Sequence, residues 1–304
     1  MTTTGFWRDL KGNNQRVGLT GFGQINNTWY LFPDGNGPRG SFTSFATLAP
    51  NLKSRDTIIL GGVLREQAVA PLGIYDVEII GAANRPRQAT SGGLPTGGGA
   101  CWLPPASGAV ATTPLLELRA AGWNISNVEF SPHTNSACIR LTRSAVVDTI
   151  DSSHSTFENC LFGANGIAGG IGIEDNGGAS RVLIDQCRFE GLTTGVKGLN
   201  TAAAVPLGWI VRNNLFLRNT NAIGMSSSQG LFWRNIINQA ANDANFKMNL
   251  VAVAGQGDLN QVLENYFSDV AANVTIAKGY KPGATDVWRN FVTDVAAYIV
   301  TVPA

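Results

Sequence analysis

An apolar stretch, an amide and a second apolar stretch recur along this chain. The runs are NISNVEF (124–130), STFENCLF (155–162), LIDQCRF (183–189), WIVRNNLF (209–216), FWRNIIN (232–238), LENYF (263–267) and VWRNFV (287–292). Aligned on the amide, they place Asn127, Asn159, Gln186, Asn213, Asn235, Asn265 and Asn290 about 27 residues apart, a spacing that marks solenoids. A third apolar segment follows each corner: 137–141, 170–174, 194–198, 221–225, 245–250, 273–278 and 297–302. One such coil alone leaves its backbone groups and its apolar face unsatisfied. Stacking coils in register pairs the strands in parallel and makes one continuous core. Asn suits the corner because it tolerates left-handed backbone angles and its amide can bond the amide of the next coil. The expectation is an all-β parallel solenoid with a structural ladder of Asn127, Asn159, Asn213, Asn235, Asn265 and Asn290.

The start of the solenoid is also legible. In SFTSFATLAPNL (41–52), Phe42, Phe45, Leu48 and Leu52 have near-helical spacing up to Pro50. A short amphipathic helix there would cap an end that otherwise exposes core and sheet edges. Residues 56–66 and 75–87 read as the first strands. The Gly/Pro-rich stretch 87–114 is too long for a corner and reads as a projecting or partner-contact loop. Residues 1–30 read as a separate arm, and residues 31–304 as the solenoid. The arm carries Phe6, Trp7, Leu10, Val17, Leu19 and Phe22 without a repeat of its own. Those side chains need another surface, so Phe6, Trp7, Leu10 and Phe22 are docking candidates.

Bulk properties remove several function classes. The 304 residues are 14% charged, with a net charge of +1, which gives no electrostatic case for nucleic acid or an anionic membrane. No apolar run approaches the ~18 residues of a membrane-spanning helix. The first residues lack an apolar signal core, so the expectation is synthesis in a cytoplasm and release by lysis. Cys160 and Cys187 each follow a corner amide and should sit on neighbouring coils. They read as two thiols stacked in a core or as a disulfide, and a reducing cytosol favours the thiols.

Catalytic candidates are few. Glycoside hydrolysis needs two carboxyl groups facing one groove. The residues before the corner amides form a row of Ser126, Glu158, Asp185, Arg212, Arg234, Glu264 and Arg289. Within it, Glu158 and Asp185 are carboxylates one coil apart. The same row alternates in sign, as does Arg140, Glu174 and Lys197 on the third strands, which is the pattern of an ion-pair ladder. A carboxylate beside Arg stays ionised, so the ladder reading competes with the catalytic one. No Asp cluster falls on adjacent coils for a calcium-dependent lyase. His133 and His154 lie in polar loops without a third ligand at zinc-like spacing. The glycines of GGIGIEDNGG (169–178) lack the following helix of a dinucleotide site. The expectation is no metal and no cofactor. Trp233 and Trp288 align with Phe157, Ile184, Val211 and Leu263, an apolar position that reads as core.

The cap helix, DTIILGGVLRE…YDVEIIGAANRPR and the repeated corners resemble the right-handed parallel β-helix, or pectate-lyase-like, superfamily. More narrowly, IIGAANRPR…TPLLELRAAGWNISNVEF is similar to β-helix proteins of tailed bacteriophages. The resemblance implies a homotrimeric virion component. Without a convincing catalytic constellation, the expected function is a non-enzymatic capsid decoration (cement) protein contacting the phage major capsid protein. The alternatives on the same fold are a tailspike-type polysaccharide depolymerase and an adhesin that binds a host surface glycan.

Overall fold

The computed structural model describes residues 5–8, 14–17, 26–82, 99–133, 135–144, 150–163, 169–198, 205–238, 246–250, 260–268, 273–277, 286–293 and 297–301. Three parallel sheets run along it. The first has ten strands, from Thr28–Leu31 to Asp286–Trp288. The second has nine, from Val63–Arg65 to Phe291–Thr293, and the third nine, from Ala68–Val69 to Ala297–Thr301. Each coil contributes one short strand to each sheet in turn, and each strand pairs with its counterparts in the coils before and after.

The core is built from single inward positions that repeat in register. In the second sheet that position is Leu64, Trp102, Phe130, Phe162, Phe189, Phe216, Ile237 and Phe267, all buried. Four of the rings stack nearly parallel: Phe130 on Phe162 at 5.4 Å, Phe162 on Phe189 at 4.8 Å and Phe189 on Phe216 at 4.7 Å between centroids. The third sheet makes room for these rings with glycine. A Cβ on Gly172 would come within 2.7 Å of the Phe189 ring, and one on Gly195 within 2.8 Å of Phe216.

Two readings of the sequence are corrected by the fold, the boundary of the arm and the stretch 87–114. The first sheet begins at Thr28, inside the stretch assigned to the arm, because Thr28–Leu31 pairs with Thr57–Leu60. The arm's backbone forms a two-stranded antiparallel hairpin, Gly5–Arg8 with Asn14–Val17. Phe6 and Trp7 lie on its first strand, while Leu10 and Phe22 fall outside the described residues. The stretch 87–114 is not one loop. Cys101–Leu103 within it is a strand of the second sheet, anchored by buried Trp102, whose Nε1 donates to the Glu66 carbonyl at 2.9 Å. The capping helix α1 covers Phe45–Leu48 and continues as a 3-10 turn through Asn51. Its Phe45 sits on Trp102 and Trp123, and its first amides are capped by Glu66, whose carboxylate accepts from Phe45 N and Ala46 N at 2.9 and 3.0 Å. All four cysteines are buried free thiols, including the neighbours Cys160 and Cys187.

Candidate functional site

The corner between the first and second sheets holds the sequence-predicted residues, but as two rows rather than one. The outer row is Asn127, Asn159, Gln186, Asn213, Arg234, Glu264 and Arg289, all with left-handed φ between 51° and 59°. The inner row is the next residue of each coil: Val128, Cys160, Cys187, Asn214, Asn235, Asn265 and Asn290. Asn214 Nδ2 donates to Asn235 Oδ1 at 3.0 Å, Asn235 Nδ2 to Asn265 Oδ1 at 2.9 Å, and Asn265 Nδ2 to Asn290 Oδ1 at 3.1 Å. The single ladder expected from the amide alignment is therefore corrected. Asn127 and Asn159 bond each other on the outside at 2.6 Å, and Asn213 is an outer residue too. Asn235, Asn265 and Asn290 belong inside with Asn214. The alignment slipped by one residue at the Asn213–Asn214 pair. The core decides which of the two turns inward: Asn214 stands two before inward Phe216, as Cys187 stands two before Phe189 and Asn235 two before Ile237. A one-residue slip would send every side chain to the opposite face. Buried Asn219 and Asn260 extend the same device at other corners and were missed. Each accepts a backbone amide of a neighbouring coil, Leu192 N on Asn219 and Gly230 N on Asn260, a role that only the packed coils show.

The same slip breaks the expected charge row. Strand register runs Glu158, Asp185, Arg212, Trp233, Leu263 and Trp288. Arg234, Glu264 and Arg289 sit one position on, in the outer corner, where Glu264 takes Arg234 at 2.8 Å and Arg289 at 3.8 Å. These arginines and the Trp233 indole hold the Glu264 carboxyl below the usual range. Trp233 is thus not core. It faces outward, partly exposed, with its Nε1 donating to Glu264 at 3.1 Å and the Arg234 guanidinium 4.4 Å from its ring centroid. Phe232 is the buried neighbour. On the third sheet, Arg140 and Lys197 both reach Glu174, at 2.9 and 3.0 Å.

Glu158 and Asp185 are register partners on adjacent strands, yet their environments differ. Asp185 is 3% exposed. Its Oδ2 accepts Arg212 Nε and Nη2 at 2.9 and 2.7 Å, and its Oδ1 accepts Asn213 Nδ2 at 2.9 Å. Glu158 is exposed, and among the described residues no hydrogen bond or ion pair of its carboxylate is found. It lines an open groove of about 600 Å³ together with Ser126, Asn127, Asn159 and Gln186. The walls are mostly polar and come from three consecutive coils. A hydrolytic pair needs one carboxyl group to protonate the leaving group and a second to attack or to activate water. Asp185, nearly buried and with both oxygens hydrogen-bonded to Arg212 and Asn213, is poorly placed for either role. The groove therefore offers hydrogen bonds and one free carboxylate rather than a complete hydrolytic pair. Among the described residues, no group of three or more His, Cys, Asp or Glu side chains could hold a metal ion.

No family model matches the sequence, and no curated protein matches it. Solved structures do match the fold. An alginate lyase from Paenibacillus sp. str. FPU-7 is similar over 91% of this chain and 99% of its own, at 15% identity and a TM-score of 0.54. The tailspike protein of Acinetobacter baumannii bacteriophage Fri1, a capsular polysaccharide depolymerase, matches 89% of this chain and 58% of its own, at 12% identity and a TM-score of 0.49. A pectate lyase matches 92% of this chain and 77% of its own, at 12% identity and a TM-score of 0.44. At these identities the likeness shows the fold. The expectation of a non-enzymatic capsid decoration is corrected: a solved structure that shares this fold over 91% of the chain is an alginate lyase. Three parallel sheets wound coil upon coil, with the fold shared by the alginate lyase, make this chain a right-handed parallel β-helix.

Proposed function

We propose that this chain is a glycan-recognising β-helix, and that a polysaccharide lies along the rod in the groove of Ser126, Asn127, Glu158, Asn159 and Gln186. The observation that carries this reading is the groove itself: five hydrogen-bonding side chains from three successive coils, with Glu158 unpaired among the described residues. Sugar hydroxyls both donate and accept. Carboxamides do the same, and a free carboxylate accepts from two hydroxyls at once. Coils rise by ~4.8 Å, close to the length of one pyranose, so successive rungs can meet successive sugars. The occupied state of Asp185 favours binding over hydrolysis at this groove. The alginate lyase and the tailspike depolymerase add the substrate class, a polysaccharide.

The test is calorimetric titration against a panel of bacterial capsular polysaccharides and alginate, with product release followed in parallel. Binding to a member of the panel is expected, with Asn159→Ala weakening it roughly tenfold, the size of one lost hydrogen bond. No binding across the panel, or binding that Asn159→Ala and Glu158→Gln leave intact, overturns the assignment of the groove. Product release abolished by Glu158→Gln would replace recognition with depolymerisation. The reading extends to a homotrimer on a bacteriophage virion. Its support is Ile236 and Tyr266, register neighbours on the outer face of the second sheet that are 47% and 39% exposed, an apolar area that subunits would cover. Light scattering that returns a single-chain mass would remove the trimer.

A further inference from the structure

The corner groove carries a charge. Four of its lining side chains, Ser126, Asn127, Asn159 and Gln186, are neutral, and the fifth is the exposed carboxylate of Glu158. The next two charged residues in strand register, Asp185 and Arg212, cancel each other. Asp185 Oδ2 accepts Arg212 Nε and Nη2 at 2.9 and 2.7 Å. A second carboxylate stands on the same outer face of the first sheet. Glu78 is exposed and pairs in register with Asn124, two residues before Ser126. Ile79, Ile125 and Phe157 between them are buried, so Glu78, Asn124, Ser126 and Glu158 all point outward. Among the described residues, the outer positions from Thr57–Leu60 to Thr156–Glu158 hold these two carboxylates and no cation.

We propose that the groove selects a polysaccharide without acidic groups, and that Glu158 is the residue that turns acidic ones away. The inference rests on the reading of the groove as a glycan site. A carboxylate takes two sugar hydroxyls at once, and the carboxamides beside it donate and accept. A sugar bearing only hydroxyls is therefore matched at each of these contacts. A uronate brings a second anion to the same place. Coils rise by ~4.8 Å, about one pyranose, so a polymer acidic at every sugar sets a charge on every rung. Those on the rungs beside Glu158 lie within the ~10 Å screening length of 0.1 M salt. Two like charges ~5 Å apart in water repel enough to weaken binding ~4-fold, and more where the groove wall displaces water. Arg212 does not offset this, because its guanidinium is already held by Asp185.

The experiment titrates the full-length chain with each uronate-bearing polysaccharide of the panel, alginate included, beside its carboxyl-reduced form. Reduction keeps the linkages and removes the charge. At ~20 mM salt the reduced form is expected to bind at least ~4-fold more tightly than its acidic parent. Glu158→Gln removes the charge at an exposed position and should bring the two affinities within ~2-fold. Raising salt to ~0.5 M should do the same for the unaltered chain, with no residue changed. An acidic form that binds as tightly as its reduced form, and is weakened by Asn159→Ala, overturns the selection while leaving the groove a glycan site. Equal discrimination in wild type and Glu158→Gln overturns the role of Glu158. No binding by either form of any member removes the glycan site itself, and this inference with it.

Discussion

Asn213 and Asn214 are adjacent, identical in type and indistinguishable by local sequence, so substituting each by Ala tests the corner register directly. Asn214 is buried and makes three side-chain hydrogen bonds. Its Oδ1 accepts Cys187 N at 2.8 Å, and its Nδ2 donates to the Ile184 carbonyl and to Asn235 Oδ1, each at 3.0 Å. Asn214→Ala leaves the buried Cys187 amide and the Ile184 carbonyl without these partners, at ~1–3 kcal/mol each, for a total of about 4 kcal/mol. Asn213 is exposed, with one side-chain bond to the Asp185 carboxylate. Asn213→Ala loses that bond and places Ala at φ 55°, a left-handed position costing ~1–2 kcal/mol. With ~1 kcal/mol for the lost bond, Asn213→Ala totals ~2–3 kcal/mol, so the expected difference is about 1–2 kcal/mol, with Asn214→Ala the less stable. Urea unfolding followed by circular dichroism reads this as a larger fall in midpoint. Coils in such a stack can unfold in segments, so the comparison is made on the first transition of each variant. If Asn213→Ala proved as damaging as Asn214→Ala, the two-row corner would be refuted and the single ladder restored.

Phe189→Ala should cost about 4 kcal/mol, because it empties a fully buried site and removes ring contacts at 4.8 and 4.7 Å on both sides. A loss under 1 kcal/mol in the same urea assay would mean that the stack does not bear on stability. Asp175 is 1% exposed, and burial pushes its pKa up to about 7 despite the amides of Ala179 and Gly178 that favour the anion. The native state then holds more protons than the unfolded chain between about pH 4 and pH 7. Its contribution to stability is greatest at the acid end, declines as pH rises through this window by no more than about 4 kcal/mol, and is level above it. Asp175→Asn keeps an acceptor for the same amides without the charge, so thermal melts should show higher stability at pH 8 and a flatter profile. An unchanged profile removes Asp175 as the cause. The thiols of Cys101, Cys138 and Cys187 are all pushed up by burial, so maleimide should leave them unlabelled in native protein at pH 8 and label them in denaturant, as read by mass spectrometry.

The sequence by itself determined the architecture. A corner amide every ~27 residues, flanked by short apolar runs, leaves a chain no way to satisfy its backbone except by stacking coils. That logic reached the cap helix and the ion pairs of Arg140 and Lys197 with Glu174 without any coordinates. It failed where two adjacent residues of one type compete for one position. At Asn213–Asn214 the amide pattern is degenerate, and only the inward aromatic row, Phe189 to Phe216 to Ile237, fixes which amide turns in. Trp233 and Arg234 moved with that one-residue choice. The state of the candidate site was likewise out of reach. Glu158 and Asp185 read as equivalent carboxylates one coil apart. Only packing showed that Arg212 and Asn213 take both oxygens of Asp185, while Glu158 opens onto a groove. Periodicity is a property of one chain read along its length, whereas pairing and access to water are set across coils, by residues about 27 positions apart that meet only once the helix is wound.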